Sequence, residues 1–365
     1  MRILLTSGIF PPDIGGPATF IPELADSLLL NKHEVTVIAL RPSNYSNLMF
    51  RFKIHLINRT RLRIFRIFKT TIKIFIQLRK SEVLFSNGLY LESAIPIRVL
   101  RKRAQAKVVG DPLWEKDRNQ GLTSLSLSEY QESKKSIKNS ILRKLYVFAL
   151  NSYEVIVCPS EELTAIVSKW GVKRKIMFVP NGVKLQIPSD APKEYDLIYV
   201  GRLVKWKNIP ILIRTANELS LKLCIVGDGP ERAQLESLAK EIGSDCIFTG
   251  EVDKSSLYLH LNRARIFTLI SQYEGLSYAL LEAMSTGLPA IVSNANGNIC
   301  VVEDHVNGRI VPLEEIESLN SCIRSLLESP DTLLKLSVGA RETIKIKFLA
   351  ETQLYKIRSI ILGSE

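Results

Sequence analysis

Two parts of this 365-residue chain open in the same way, and that repetition restricts the fold more than any other feature. Residues 2–7 (RILLTS) form a short apolar run. A Gly- and Pro-rich loop follows from Gly8 to Pro17, then a helical pattern over about Thr19–Leu30 and a second run at Glu34–Ala39 (EVTVIA). The second start is Tyr195–Val200 (YDLIYV), followed by Gly201-Arg202, a helical stretch over about Ile209–Leu219 and the run Lys222–Val226 (KLCIV). Strand, loop, helix, strand is the opening of a doubly wound sheet. Further short runs at Val83–Ser86, Lys107–Val109, Val155–Cys158, Lys175–Val179, Cys246–Phe248, Ile266–Leu269 and Ala290–Val292 continue the alternation. Apolar strands between helices predict parallel sheets covered on both faces.

The chain is longer than one hydrophobic core usually allows, so two domains are expected. Pro180-Asn181-Gly182 is a strong turn signal, and the Pro- and charge-rich stretch 187–193 extends the break. The boundaries read as a domain over 1–180, a linker over 181–193 and a second domain over 194–345. The expected architecture is α/β: two Rossmann-like doubly wound domains facing across a cleft lined by the carboxyl ends of their strands.

Hydrophobic residues make up 46% and charged residues 24%, which excludes wholesale disorder. The five cysteines form no CxxC pair, and an odd number cannot all pair internally, so a reduced, cytoplasmic compartment is expected. No Cys or His spacing suits a metal site. The N-terminal apolar run is too short for a signal peptide, and no stretch of about 20 uncharged apolar residues is present to span a bilayer.

Four segments carry chemistry. In Glu274-Gly275-Leu276-Ser277-Tyr278-Ala279-Leu280-Leu281-Glu282, a carboxylate stands at a loop-to-helix junction and a second lies about two turns into the helix. A helix N-terminus offers free N–H groups to a diphosphate, and a carboxylate beside it can accept hydrogen bonds from sugar hydroxyls. The alternative is a surface helix with two exposed glutamates. In Gly201-Arg202-Leu203-Val204-Lys205-Trp206-Lys207, a post-strand loop carries Arg202 and Lys207, a fork and a point charge that can clamp a diphosphate. Solvated loop charge is the alternative. Gly227-Asp228-Gly229 follows the KLCIV strand, and Gly15-Gly16 precedes the first helix. Both let backbone approach a ligand, and both also suit plain turns. Every one of these segments lies at the carboxyl end of a predicted strand. The dinucleotide fingerprint GxGxxG is missing from both starts, which disfavours a dehydrogenase.

The ordered set GG, GRLVKWKN, VGDGP, EGLSYALLEAM and TGLPAIVS resembles the retaining glycosyltransferases of family 4, which have the GT-B fold. The likeness covers nearly all of the C-terminal half and rests on residues 1–40 in the N-terminal half. It implies that Arg202 and Lys207 neutralise the donor diphosphate, that Glu274 contacts the donor sugar, and that Glu282 holds the ribose. It further implies that Gly15, Gly16 and the amides of Gly275, Leu276 and Ser277 face phosphates. The loop after Gly227 (Asp228, Gly229) and the loop carrying Glu251 and Val252 would surround the base. No two Asp residues stand two apart, so the metal-binding DxD pair is missing. The expectation is a nucleotide-diphosphate sugar as substrate, no cofactor and no metal. The resemblance also implies that the last helix, about 346–365, packs back on the first domain.

On the acceptor side, many family members carry a His-Asp pair where this chain has Gly110-Asp111. Asp111 and Glu115 become candidates to position or deprotonate an acceptor hydroxyl, and Trp114 to stack on a sugar. A turn role before proline is the other use of Asp111. Asn87, after the strand at 83–86, marks a further acceptor loop.

The formal net charge is +12, and residues 41–80 hold eleven Lys or Arg and no acid. Arg59, Arg63, Arg66, Lys69, Lys73 and Lys80 recur at helical spacing, with Ile64, Phe65, Phe68, Ile72, Phe75 and Ile76 largely opposite. An apolar stripe of this kind usually packs on a sheet. The cations of residues 51–80 suit an anionic membrane surface, which would make the protein peripheral on the inner face of the plasma membrane. The expected function is transfer of a sugar from a nucleotide donor to a glycan or lipid-linked acceptor in cell-surface polysaccharide or lipopolysaccharide assembly. The competing readings are a nucleotide-sugar epimerase of the same fold and a non-catalytic basic-surface protein. No aromatic-interleaved basic motif supports nucleic-acid binding.

Overall fold

A computed structural model describes residues 1–11, 13, 15–41, 49–59, 62–187, 189, 191–313 and 315–364. The chain divides into two compact units, Met1–Pro180 with Leu354–Glu365, and Asn181–Gln353.

The first unit is built on seven strands: β1 Arg2–Ser7, β2 Glu34–Arg41, β3 Lys53–Asn58, β4 Val83–Asn87, β5 Arg103–Lys107, β6 Val155–Cys158 and β7 Lys175–Phe178. Their order across the sheet is β3-β2-β1-β4-β5-β6-β7, all parallel. The central β4 is buried at every residue, which is why VLFSN reads as a continuous run rather than an alternation. Two elements depart from expectation. The strand expected at Lys107–Val109 ends at Lys107, because Arg103–Lys107 (RAQAK) buries Gln105 and Lys107 with its alanines and hides its apolar character. β3 lies inside the segment read only as basic and amphipathic, so Arg59 follows a strand and is not on the helix, which begins at Arg63.

The helix Arg63–Lys80 also faces differently from the expectation. It buries Thr70, Ile74, Gln77 and Leu78 and turns Phe65, Phe68, Ile72 and Ile76 outward. The Phe-rich stripe is therefore not the face that packs on the unit.

The second unit has six parallel strands: β8 Tyr195–Val200, β9 Leu223–Val226, β10 Cys246–Gly250, β11 Ala264–Leu269, β12 Ala290–Ser293 and β13 Gly308–Val311, in the order β10-β9-β8-β11-β12-β13. One continuous core runs under this sheet, including Leu197, Ile198, Ile225, Phe267, Leu280 and Ile291. Each such side chain, fully buried, contributes about 1.5–3 kcal/mol. The short Gly308–Val311 strand (GRIV) carries too few apolar residues to be read from sequence. In each sheet the winding reverses once, between β1 and β4 in the first and between β8 and β11 in the second. Such a reversal opens a crevice at the carboxyl ends of the two strands, where α/β proteins bind ligands.

The final helix, Ala350–Leu362, starts in the second unit and continues in the first. There Arg358 donates to the Ser27 hydroxyl, and Arg103 donates to the Leu362 carbonyl at 3.4 Å.

Candidate active site

In the second unit, the loops after β8 and β11 flank the reversal and are tied together. The Gln272 N–H donates to the Trp206 carbonyl at 2.8 Å. The Lys207 ammonium pairs with Glu274 Oε1, and both side chains are largely buried, 15% and 7% exposed. Lys207 closes a short 3-10 turn (Lys205–Lys207), and Asn208 follows with φ 55 before the helix Ile209–Glu218. Arg202 stands exposed on the same loop, and its guanidinium has no partner among the described residues. Its carbonyl is held by the buried Tyr199 hydroxyl at 3.0 Å. Burial, reinforced by the Glu274 charge, pushes the Tyr199 pKa well up, so Tyr199 stays a neutral donor.

The neighbouring loops interlock through backbone. Gly201 N–H donates to Val226 O at 3.0 Å, Leu203 N–H to Asp228 O at 2.9 Å and Gly227 N–H to Gly250 O at 2.9 Å. A Cβ on Gly227, which has φ 132, would collide with the Gly201 carbonyl. Glycine there is required by close packing of one loop on the next. Asp228 accepts from its neighbour Gly229 N–H at 2.6 Å and pairs with Arg232 at 3.1 Å, so its carboxylate shapes the loop. Glu251 is exposed and Val252 half-buried, just beyond β10.

Glu274, Gly275, Leu276 and Ser277 lead into the helix Tyr278–Ser285. Ser277 caps it, accepting from Leu280 N–H at 3.3 Å. Glu282 is buried on this helix, and Lys254, which opens the helix Lys254–Asn262 after β10, stands 3.7 Å from its carboxylate. The alternative of two exposed glutamates is therefore excluded by geometry. Sequence reasoning did not single out four residues that hold this loop. Asn181, read as a turn residue, is buried and donates to the Leu276 carbonyl at 3.0 Å. A Cβ on Gly297 would collide with the Glu274 carbonyl, so only glycine lets the β12 loop pack there. Asn298 donates to Ser293 O at 3.2 Å, and the Ser293 hydroxyl donates to Ser271 O at 2.5 Å. The Asn-Ala-Asn-Gly-Asn run at 294–298 was the available signal for Gly297 and Asn298.

The first unit brings together fewer of the expected residues. Gly15, with φ 149, and Gly16 open the helix Gly16–Leu30 in the loop after β1. Asn87 ends β4 on the other side of the reversal. It is buried, and neither amide atom of its side chain has a hydrogen-bond partner. An orphaned buried amide at a sheet reversal suits a polar ligand group.

Asp111 and Trp114 require correction. Asp111 is fully buried, caps the helix Pro112–Asn119 through the Leu113 and Trp114 N–H groups, accepts from Gln131 at 3.0 Å and pairs with Arg143. Both oxygens are engaged, which leaves no lone pair for an acceptor hydroxyl. Trp114 is 1% exposed and its indole N–H donates to the Leu125 carbonyl at 3.0 Å, so its ring offers no stacking face. Glu115 is exposed, and its carboxylate folds over Gly110, where a Cβ would meet it. Among the described residues, no three His, Cys, Asp or Glu side chains group as metal ligands.

Two family models match consecutive parts of the chain: Glycosyltransferase Family 4 over residues 14–187 and Glycosyl transferases group 1 over residues 184–343. The lipopolysaccharide core biosynthesis glycosyltransferase LpsD of Rhizobium meliloti (strain 1021) is 32% identical over 209 residues, 53% of this chain and 60% of its own length. An Escherichia coli UDP-Gal:alpha-D-GlcNAc-diphosphoundecaprenol alpha-1,3-galactosyltransferase is 29% identical over 270 residues, 64% of this chain and 66% of its own length. The matched regions thus span about two thirds or less of these relatives. Among solved structures, Anabaena HepE in complex with UDP and glucose superposes with a TM-score of 0.80 at 17% identity, covering 100% of both chains. Sucrose-phosphate synthase from Thermosynechococcus elongatus superposes with a TM-score of 0.79 at 18% identity, covering 98% of both. These structures share the fold. With the two family matches together running from residue 14 to residue 343, the chain belongs to the family 4 glycosyltransferases, with a GT-B-type fold.

Proposed function

We propose that this chain transfers a sugar, with retention and without a metal, from a nucleotide-diphosphate donor to a glycan or lipid-linked acceptor in cell-surface polysaccharide or lipopolysaccharide assembly. The observation that carries the proposal is the buried Lys207–Glu274 pair at the sheet reversal. The pair holds a cation and a sugar-binding carboxylate at one point, beside an exposed Arg202. As the glycosyl C–O bond to the diphosphate breaks, negative charge grows on the leaving oxygens. Lys207, held by Glu274, and the exposed Arg202 meet that charge, the task a metal performs elsewhere. Glu274 accepts from hydroxyls of the donor sugar, and Glu282, buried beside Lys254, accepts from the ribose. The loops at Gly227–Gly229 and Glu251–Val252 enclose the base. Family membership supports retention. The acceptor class is supported by the E. coli relative, whose name specifies a diphosphoundecaprenol-linked GlcNAc. The cations and outward aromatics of residues 51–80 support contact with an anionic membrane at its inner face, where such an acceptor would be met.

Calorimetric titration of UDP, GDP and ADP in EDTA tests the donor site. One nucleotide is expected to bind wild type selectively and Lys207→Ala at least about tenfold more weakly, ~1.4 kcal/mol. Because Lys207→Ala leaves Glu274 uncompensated, the double variant Lys207→Met/Glu274→Gln serves as the stable control and should lose the same affinity. No binding of any nucleotide by folded wild type would remove the donor-site assignment. Anomeric configuration of the product by NMR decides retention.

A further inference from the structure

Three helices of the first unit lie side by side: Arg63–Lys80, Tyr90–Leu100 and Ile137–Leu150, with the middle one packed against both neighbours. Each turns an apolar ridge to solvent. On the first, Phe65 and Phe68 are 67% and 66% exposed, with Ile72 and Ile76 one and two turns further. On the second, Ile95 and Val99 are exposed. On the third, Ile137, Ile141, Leu145 and Phe148 recur at three- to four-residue spacing, and Ile137 is 82% exposed. That spacing puts them on one face of a helix, opposite the buried Asn139 and Leu150. The surface between the second and third helices is fastened by Arg98. Its guanidinium lies 3.9 Å over the Phe148 ring and donates to the Phe148 carbonyl at 3.1 Å.

The ridges are set among cations. Arg63, Lys69, Arg79, Lys80, Arg98, Lys138 and Lys144 are exposed on the same helices. The only acid on the three, Glu92, is buried. An outward apolar surface of this extent on a globular unit marks a binding face. Its charge selects the occupant. A second copy of the chain docked through this face would oppose two cationic surfaces, whereas an anionic bilayer offers apolar depth and negative headgroups together. No helix among the described residues is long and apolar enough to cross a membrane. The side chains can therefore enter only the headgroup and upper acyl region.

We propose that these three helices form a single docking face for the surface of an anionic lipid bilayer, with Ile95, Val99, Ile137, Ile141 and Phe148 as much part of it as the basic helix. The inference rests on the lipid-linked acceptor reading for its purpose and extends the contact to two helices outside residues 51–80. A face built from three elements presents a plane and so holds the unit in one orientation on the lipid, which a single helix cannot do.

The test is co-flotation with vesicles of phosphatidylcholine containing about a third phosphatidylglycerol, beside pure phosphatidylcholine. Wild type is compared with Ile137→Ser/Ile141→Ser/Phe148→Ser and with Phe65→Ser/Phe68→Ser. All the replaced side chains are exposed, and UDP, GDP and ADP titration reports independently on the donor site. The expected result is binding to the anionic vesicles only, weakened by salt, with each variant losing at least about tenfold in partitioning while its nucleotide affinity is unchanged. If only the Phe65/Phe68 variant loses binding, the three-helix face is overturned and the contact shrinks to the basic helix. Wild type that ignores anionic vesicles while still binding nucleotide overturns the membrane assignment and leaves the donor site standing. A concentration-dependent dimer dispersed by the triple variant would assign the face to a second copy instead.

Discussion

At the residue scale, two buried charges in the first unit lead to opposite kinds of experiment. Lys107 ends β5 with 1% exposure, its ammonium 3.8 Å from the Phe20 ring centroid. Burial pushes its pKa down to about 7, against the opposing pull of Cys158 and Glu23. The unfolded chain holds this proton up to about pH 10.5, while the folded chain releases it near 7. Between those values the unfolded state binds more protons, so stability rises with pH, by about 1.4 kcal/mol per unit for a single site. Urea midpoints of wild type and Lys107→Met at pH 7, 8 and 9 check this. The variant is expected to lose the rise and to be the more stable protein at pH 7. Identical slopes would mean that water reaches Lys107. Asp111 is paired with Arg143, and removing its charge leaves a guanidinium only 14% exposed without a counterion. Asp111→Asn should destabilise the unit by about 3 kcal/mol. A variant of normal stability with transfer abolished would return Asp111 to the role of base.

At the scale of elements, the post-strand loops of the second unit were legible because glycine, charge and turn residues cluster after apolar runs. Arg202, Lys207, Glu274 and Glu282 stood out in that way. The residues that hold those loops did not, since Asn181, Gly297 and Asn298 act on segments 23–95 positions away. Gly297→Ala tests one of them. Its methyl group would drive the β12 loop off Glu274, at a cost of about 1–3 kcal/mol. A lowered Tm with weakened nucleotide binding is expected, and an unchanged Tm would show that the loop yields freely. The helix Arg63–Lys80 teaches the converse. Its pattern was amphipathic, yet the unit uses Thr70, Ile74, Gln77 and Leu78 for packing and leaves the aromatic stripe outside. Periodicity names two faces without saying which is inward.

At the scale of the whole molecule, the last twelve residues test how the chain is partitioned. Leu354–Glu365 belongs to the unit that begins at Met1, tied there by Arg358 to Ser27 and by Arg103 to Leu362 and Ile361. A chain ending at Gln353 should therefore lose amide protection in the helix Gly16–Leu30 and in β5, hundreds of positions away, while strands β8–β13 exchange as before. Hydrogen exchange read by mass spectrometry checks it, and uniform protection in both chains would mean the segment is only loosely attached.

The sequence by itself determined the doubled α/β plan, the break near Pro180 and the loops that carry charge. Strand runs, turns and glycine spacing are local signals, and they survive without a fold. Only tertiary structure decided which polar residues are framework, as with Asp111 and Trp114, and that Lys207 and Glu274 meet across a sheet reversal. It also decided that three separate helices, each with an outward apolar ridge, lie side by side. Those outcomes depend on burial and on contacts between distant segments, which are set when the strands take their order in the sheet.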